Sequence, residues 1–247
     1  MQPLAKAVEL AQADTNTHRL ALSRALLNRS RLYLRLGRLA EAGRGNCRAR
    51  GIPQRDPQSG PNLIDLGPFF NAALNDELMN GRWPQNSLAG LPAGRHRLGG
   101  VDFDVRDALQ GSRDGWSTVA YPDAVRDIRV NRSFQRLHCL HGTSWQQPDG
   151  TKIGAYVLCY IDGKKLELPI VYGQDVRDWG DHADRQEATR ATVAWTGQNS
   201  AASGLDVSPR LYQRTWDNPR PDVEVQSIDF LSTMTECAPF LIALTVE

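Results

Sequence analysis

Tryptophan side chains beside polar turn residues are the feature of this sequence best suited to chemistry. A flat indole can cover the C–H groups of a sugar ring, while nearby amide and carboxylate groups hydrogen-bond to its hydroxyls. The same indoles can instead fill the core of a β domain, and the sequence leaves both interpretations open. The candidate ligand-binding residues are Trp145, Asp175, Asp178, Trp179, Trp195, Asn199, Trp216 and Asn218.

Aspartate recurs at every third position between residues 175 and 184. Carboxylates at that spacing can surround a hard cation such as calcium. The segment lacks the alternating ligands and central glycine of an EF-hand loop, so loop capping, solvated charge, or ion pairs with Arg177 and Arg185 are favoured. We therefore expect no cofactor, with a structural calcium ion as the alternative.

His138, Cys139 and His141 form a second group of metal-binding side chains. Neighbouring side chains of a β-strand point to opposite faces, so His138 should face away from Cys139 and His141. The three cannot converge without a bulge, and we expect structural histidines. The chain has four cysteines, and their wide spacing predicts buried thiols rather than a zinc site or disulfide framework.

Motifs for hydrolysis are missing from the sequence. It contains no G-x-S-x-G, no H-E-x-x-H and no glycine-rich phosphate loop. Asp102 and Asp104 share a face of the segment GVDFDV, but this is the ordinary alternation of an amphipathic strand. We favour a protein that is not an enzyme. The alternative is a glycoside hydrolase whose acid and base come from Asp102, Asp104, Asp175 and Asp178.

Charge and hydropathy divide the chain into two unlike parts. Residues 1–60 carry 11 Lys or Arg against four Asp or Glu, a net charge of +7, which leaves −6 for the remainder of a chain with total charge +1. No apolar run approaches the ~20 residues of a membrane span, and the N-terminal residues lack a signal-peptide core. We expect a soluble protein without an export signal in this chain, in an unknown compartment.

The first part has a helical pattern. Apolar residues recur at intervals of three and four between Pro3 and Ala49, which predicts a helical segment over 1–52 and a Pro/Gly-rich linker over 53–62. Arginines on the second predicted helix form a basic stripe, for which a solvated or docking face is favoured over phosphate binding. Motifs for nucleic acid are missing there, and we expect no nucleic-acid partner; a protein partner held by this segment is the second hypothesis.

Residues 63–247 are predicted to form a β-sandwich or jelly roll. Asp162-Gly163 is the clearest hairpin signal, and Asn71–Met79 is predicted as a short surface helix. The fold class is therefore mainly β, preceded by a small α-helical segment. The predicted strands are Leu63–Leu66, Gly100–Val105, Ile128–Val130, Leu137–His141, Ile153–Ile161, Leu166–Tyr172, Thr189–Trp195, Val223–Leu231 and Phe240–Val246.

Two family resemblances accompany these patterns. The helical segment resembles one tetratricopeptide repeat, in which small residues let paired helices approach each other. The residues at the matching intervals are Ser30, Tyr33, Gly37, Ala42, Ala49 and Pro53. One repeat is too few for an independent array, which normally needs about three.

The larger part is similar to the galactose-binding-like or jelly-roll accessory modules at the ends of large bacterial proteins. The segments that carry this resemblance are NLIDLGPFFNAALND, SLAGLPAGRHRLGGVDFDVRDALQ, LHGTSW, IGAYVLCYIDGKKLELPIVYGQDVRDW, AWTGQN, RLYQRTWDNPRPDVEVQSIDFLS and APFLIALTVE. The resemblance implies a bacterial accessory domain without catalytic residues. Carbohydrate is the favoured ligand, and a protein-interaction scaffold using the helical repeat is the alternative.

Overall fold

The structure is a computed structural model that describes residues 55–76, 85–111, 121–180, 186–203 and 207–247. The predicted helical segment 1–52 and the first two linker residues lie outside this part of the chain. β-strands are the main regular elements among the described residues, so the fold class is mainly β, as predicted. No helix among them has the length and apolar character needed to cross a membrane.

The described strands form two larger antiparallel sheets and one hairpin. The elements are β1 Gly94–Leu98, β2 Val101–Val105, β3 Leu109–Gln110, β4 Ala124–Arg132, β5 Arg136–Ser144, β6 Lys152–Tyr160, β7 Lys165–Val171, β8 Thr192–Thr196, α1 Ser200–Ser203, β9 Arg210–Asp217, β10 Val225–Ser232 and β11 Ala238–Val246. The four-stranded sheet has the order β4-β10-β6-β7, the five-stranded sheet has the order β3-β11-β5-β9-β8, and β1 pairs with β2.

Side chains from both sheets form one shared core. Leu158 of β6 and Phe230 of β10 come from the four-stranded sheet, and Leu137 of β5 and Tyr212 of β9 come from the five-stranded sheet. Burial of a large apolar side chain contributes about 1.5–3 kcal/mol. The two sheets are therefore held face to face, in agreement with the predicted sandwich architecture.

The outer face of the five-stranded sheet is also apolar. Leu140 and Leu211 point to this side and pack in a second cluster with Phe103 and Val105 of β2. The β1–β2 hairpin thus lies over the sheet and shields it from water. Phe103 and Val105 are buried and Asp102 is partly exposed, but Asp104 is buried as well, so the amphipathic alternation expected of β2 holds only in part.

The turn between β6 and β7 confirms the predicted hairpin. Gly163 has a φ of +82°, a conformation that favours glycine, and its N–H donates to Tyr160 O at 2.9 Å. The Asp162 carboxylate accepts a hydrogen bond from Lys164 N at 3.2 Å. Asp-Gly therefore reverses the chain with both residues in the roles that a tight turn requires.

Three differences separate the predicted elements from the observed ones. Leu63–Leu66 is not a strand, because only Leu63 forms a bridge, to Thr245 of β11. Residues 71–76 contain no helix, and the remainder of the predicted Asn71–Met79 helix lies outside the described residues. Strands β1, β3 and β9 were not predicted.

Gly154 of β6 marks a close approach between β6 and β10. A Cβ atom at this position would lie 2.5 Å from Leu231 O, and a backbone atom cannot move aside cheaply. We expect Gly154→Ala to lower the free energy of unfolding by about 1–3 kcal/mol, measured by urea denaturation. Gly60→Ala is the control because a Cβ there meets nothing within 4 Å. Equal stability of both variants would contradict this account.

Candidate functional site

The eight candidate ligand-binding residues do not form one cleft. Arg136 at the start of β5 pairs with Asp217, so Asn218 lies near that end of the strand. Trp145 follows the other end of β5, which finishes at Ser144. Nine strand residues span roughly 30 Å, so Trp145 and Asn218 cannot contact the same small ligand.

Two of the four tryptophans are buried. Trp179 is fully buried and packs edge-on against Phe240, with ring centroids 6.2 Å apart. Trp216 lies in the core between the sheets, with its ring centroid 5.5 Å from that of Tyr156. Neither indole presents an open face to a sugar ring. Both fill the interior, which was the other interpretation of the sequence.

The two asparagines are engaged in local structure. Asn199 Oδ1 accepts from Ala202 N at 2.7 Å and so caps the short helix α1. Asn218 Oδ1 accepts from Tyr160 OH at 2.6 Å, and Asn218 Nδ2 donates to Phe134 O at 2.9 Å. These contacts occupy the groups that a sugar hydroxyl would otherwise meet.

Trp195 is half-buried on β8, away from the end of β5. Its indole lies directly over Gly197, where a side chain would collide with the ring. It packs at the margin of the second cluster, on the outer face of the five-stranded sheet. Trp195 and Asn199 therefore belong to one small region, separate from the loop that carries Trp145.

Loops converge at the end of β5 that carries Trp145. Ser144 pairs with Ala238, the first residue of β11, so the loop after β5 and the loop before β11 emerge side by side. We call this surface the tryptophan rim. It consists of Trp145, Gln146, Asp149, Asp178 and Met234.

The tryptophan rim contains two residues in the left-handed backbone region. Trp145 has a φ of +71° and Met234 a φ of +57°. Such a conformation costs about 1–3 kcal/mol for a residue with a side chain. Trp145 is half-buried and Met234 is 42% exposed. Both side chains therefore keep part of their surface accessible at this end of the sandwich.

Neighbouring groups fix the loops of the tryptophan rim. Cys237 Sγ donates to Trp145 O at 3.1 Å, and Thr143 forms a parallel bridge with Asp178. Burial raises the pKa of the Cys237 thiol to about 12, so it remains protonated at neutral pH. Arg177 donates to Asp149 at 2.8 Å. The tryptophan rim is therefore a preformed surface.

Between the sheets lies a buried polar cluster around His141. Its Nε2 donates to Asp175 O at 3.1 Å, which leaves Nδ1 to accept from Tyr156 OH at 3.1 Å. Burial lowers the pKa of His141 to about 4 and raises the pKa of Tyr156 well above its usual value. Both groups are neutral at pH 7, and they fasten the loop of Asp175 to the core.

Asp175 is completely buried between two arginines. Its Oδ1 accepts from Arg214 Nε and its Oδ2 from Arg190 Nη2, each at 2.8 Å. Arg214 also stacks over Trp216, with 4.9 Å between the guanidinium carbon and the ring centroid. Neither arginine was among the predicted site residues. The sequence RLYQRTW of β9 could have indicated Arg214 as a site residue, because side-chain alternation places it on the same face as Tyr212 and Trp216.

The four carboxylates of the hydrolase alternative have separate partners. Asp102 bonds Arg95 at 2.6 Å, which lowers the pKa of that carboxyl, and Asp104 lies 3.0 Å from Arg106 Nε. Asp175 is engaged by its two arginines, and Asp178 Oδ1 accepts from Gly180 N at 3.1 Å. A general acid needs a proton to donate, and an arginine partner favours the ionised form of Asp102.

The calcium alternative receives no support from Asp175, because both of its oxygens are engaged by arginine. Asp181 and Asp184 lie outside the described residues. Within the described ranges, no three His, Cys, Asp or Glu side chains are grouped closely enough to hold a metal ion. His138 points away from Cys139 and His141, as the strand alternation predicted, and bonds Thr215 and Glu247.

Comparison with known proteins did not extend this description. The chain matches no model of a known protein family, and a search of curated proteins found no match. The resemblances to a tetratricopeptide repeat and to galactose-binding-like modules are therefore proposals.

Proposed function

We propose that this chain is a non-catalytic recognition module that binds carbohydrate at the tryptophan rim. The observation that carries the proposal is Trp145, a half-buried indole held at a φ of +71° in a loop beside exposed Gln146 and Asp149. An indole face can cover sugar C–H groups, and the amide and carboxylate can bond hydroxyls. Asp178 is the buried member of the tryptophan rim and forms a parallel bridge with Thr143.

The connectivity of the two sheets supports a jelly roll as the fold of this module. The β6–β7 hairpin is innermost, and successive pairs wrap around it: β5 with β9, β4 with β10, and β3 with β11. Two sheets joined in this order match the two Greek keys of a jelly roll. Loops at the ends of such a sandwich provide binding surfaces on a rigid scaffold.

A glycan array with the intact chain, followed by calorimetric titration of the best glycan, tests the carbohydrate proposal. We expect Trp145→Ala to weaken binding about tenfold or more, because removal of a central aromatic commonly costs over 1 kcal/mol. Trp195→Ala is the matched control, since it removes a second half-buried indole away from the tryptophan rim. Its affinity should change less than about threefold.

The paired variants make this test specific. Thermal melts should show that both variants are folded. An equal loss of affinity in the two variants, or no loss in Trp145→Ala, would reject the tryptophan rim as the binding surface. The absence of signal on every glycan would reject carbohydrate as the ligand.

A protein-interaction scaffold is the second candidate. The burial of Trp179 and Trp216, together with the hydrogen bonds of Asn199 and Asn218 within the fold, favours it because these four candidate ligand-binding residues are engaged in local structure. In this alternative the helical-repeat-like segment 1–52 holds the partner. Saturable binding of the intact chain on a peptide array, with a blank glycan array, would support it.

A further inference from the structure

The arginine pair around Asp175 carries more positive charge than its buried partner requires. Arg190 and Arg214 each donate to a different oxygen of Asp175, and Val171 N donates to the same carboxylate at 2.9 Å. One carboxylate neutralises one guanidinium. Since neither arginine pairs with a second carboxylate in the described ranges, one positive charge is left over.

Both arginine side chains are held in place and are partly exposed. Arg214 is fixed by Asp175, by Thr215 O and by the ring of Trp216, and its side chain is 19% exposed. Arg190 bonds Asp175 through Nη2, at one end of its guanidinium group, and its side chain is 42% exposed. A guanidinium has five N–H groups in a rigid plane, so donors remain for a second oxyanion. Preorganised donors lose little entropy on binding.

Backbone hydrogen bonds connect the segment of Arg190 to a loop that contacts the tryptophan rim. Arg190 N donates to Gln174 O at 2.7 Å, and Thr189 N donates to Gly173 O at 3.2 Å. Gly173 in turn lies directly against the Asp149 carboxylate, a member of the tryptophan rim. A saccharide of several units lying over Trp145 can therefore extend toward Arg190.

We propose that Arg190 and Arg214 form an anion subsite that selects acidic saccharides over neutral ones. The group recognised is a sugar carboxylate, as in a uronic acid, or a sulfate ester, since both offer paired oxygens to a guanidinium fork. This inference rests on the proposed function, because it places a charged subsite beside the carbohydrate surface. Asp175 is a positioning residue that aims the two arginines.

The test is a calorimetric titration of the intact chain with tetragalacturonic acid, neutral galactotetraose and sulfated galactotetraose. The wild-type chain should bind an acidic ligand about tenfold more tightly than the neutral one, and this preference should shrink as salt is raised. Arg190→Gln should abolish the preference and leave neutral binding unchanged. The carboxylated and sulfated ligands distinguish the two sources of the anion.

Two further variants control this experiment. Arg97→Gln removes an exposed arginine that also faces a carboxylate, Asp102 at 3.7 Å, and should leave the preference intact. Arg190→Lys keeps the charge without the planar fork and should retain part of the preference. If Arg190→Gln does not fold, the Arg190→Lys titration and the salt dependence of the wild-type chain decide the question.

The outcomes separate the subsite from the function. Equal affinity for neutral and acidic ligands, unchanged in Arg190→Gln, overturns the anion subsite and leaves carbohydrate recognition standing. Failure of all three ligands, together with a blank glycan array, overturns the proposed function and the subsite with it. If the preference for acidic over neutral ligands persists in Arg190→Gln and decreases in Arg97→Gln, the anion binds elsewhere. That result would overturn the proposed subsite.

Discussion

Replacement of Asp175 by asparagine is expected to lower the free energy of unfolding by about 3 kcal/mol. Removing one member of a buried ion pair leaves an uncompensated charge and commonly costs 3–5 kcal/mol. We expect the lower end of that range, because Arg190 and Arg214 are 42% and 19% exposed and water can partly solvate them. The melting temperature should fall by roughly 10 °C for a chain of this length.

Urea denaturation of Asp175→Asn at pH 7 measures this loss. Asp102→Asn is the matched control, since Asp102 also bonds an arginine but lies on the β1–β2 hairpin with 33% of its side chain exposed. An exposed pair contributes at most about 1 kcal/mol. A loss below about 1 kcal/mol in Asp175→Asn would mean that the loop after β7 is held by other contacts.

Acidification from pH 6.5 to pH 4 is expected to destabilise the fold through His141. Burial lowers the pKa of His141 to about 4 in the folded chain, against 6.5 for a free imidazole. Between these values the unfolded chain binds more protons, so the free energy of unfolding falls as the pH falls. The full difference corresponds to about 3 kcal/mol. The stability is present above pH 6.5 and decreases toward pH 4.

The groups that face His141 explain why its charged form is disfavoured. Desolvation is the largest cause, and the Arg214 charge adds to it, while the Asp175 carboxylate opposes both. Tyr156 OH occupies Nδ1, which must accept a hydrogen bond because Nε2 donates to Asp175 O. A proton on Nδ1 would disrupt this arrangement.

Urea denaturation at several pH values tests the role of His141. His141→Gln should be less stable than the wild-type chain at pH 7, but its stability should change much less between pH 6.5 and 4. His96→Gln, a substitution on the surface hairpin β1, should keep the wild-type slope. An unchanged slope in His141→Gln would assign the acid sensitivity to other groups.

The sequence predicted most of the strands because each has a simple local pattern. The apolar run of β6, the opposite orientations of His138 and His141 in β5 and the Asp-Gly turn are local properties, and the structure confirms them. Strand β9 was not predicted because two positions of its inward face are arginines, Arg210 and Arg214, which interrupt the apolar alternation. Each of these arginines packs over the aromatic ring two residues along the same face of β9, Tyr212 or Trp216, and Arg214 also pairs with Asp175.

The site was harder to predict than the strands because exposure is a tertiary property. Trp145, Trp179 and Trp216 all stand beside polar turn residues, yet one lies half-buried at a rim and two lie in cores. Short-range pattern cannot distinguish them, since the outcome depends on which sheet or hairpin covers each indole. The β1–β2 hairpin contributes Phe103 and Val105 to the cluster that contains Trp179, from about 75 residues earlier in the chain.

The amino-acid order by itself determined the β class, the Asp-Gly hairpin and the opposite orientations of His138 and His141, because these follow from side-chain alternation and turn geometry between near neighbours. Only the tertiary structure decided which polar residues meet. Asp175, Arg190 and Arg214 converge because the loop after β7 folds back onto β9. Burial of a carboxylate is tolerated only where opposite charges and hydrogen-bond donors surround it. In this protein, segments that are distant in the sequence supply those groups.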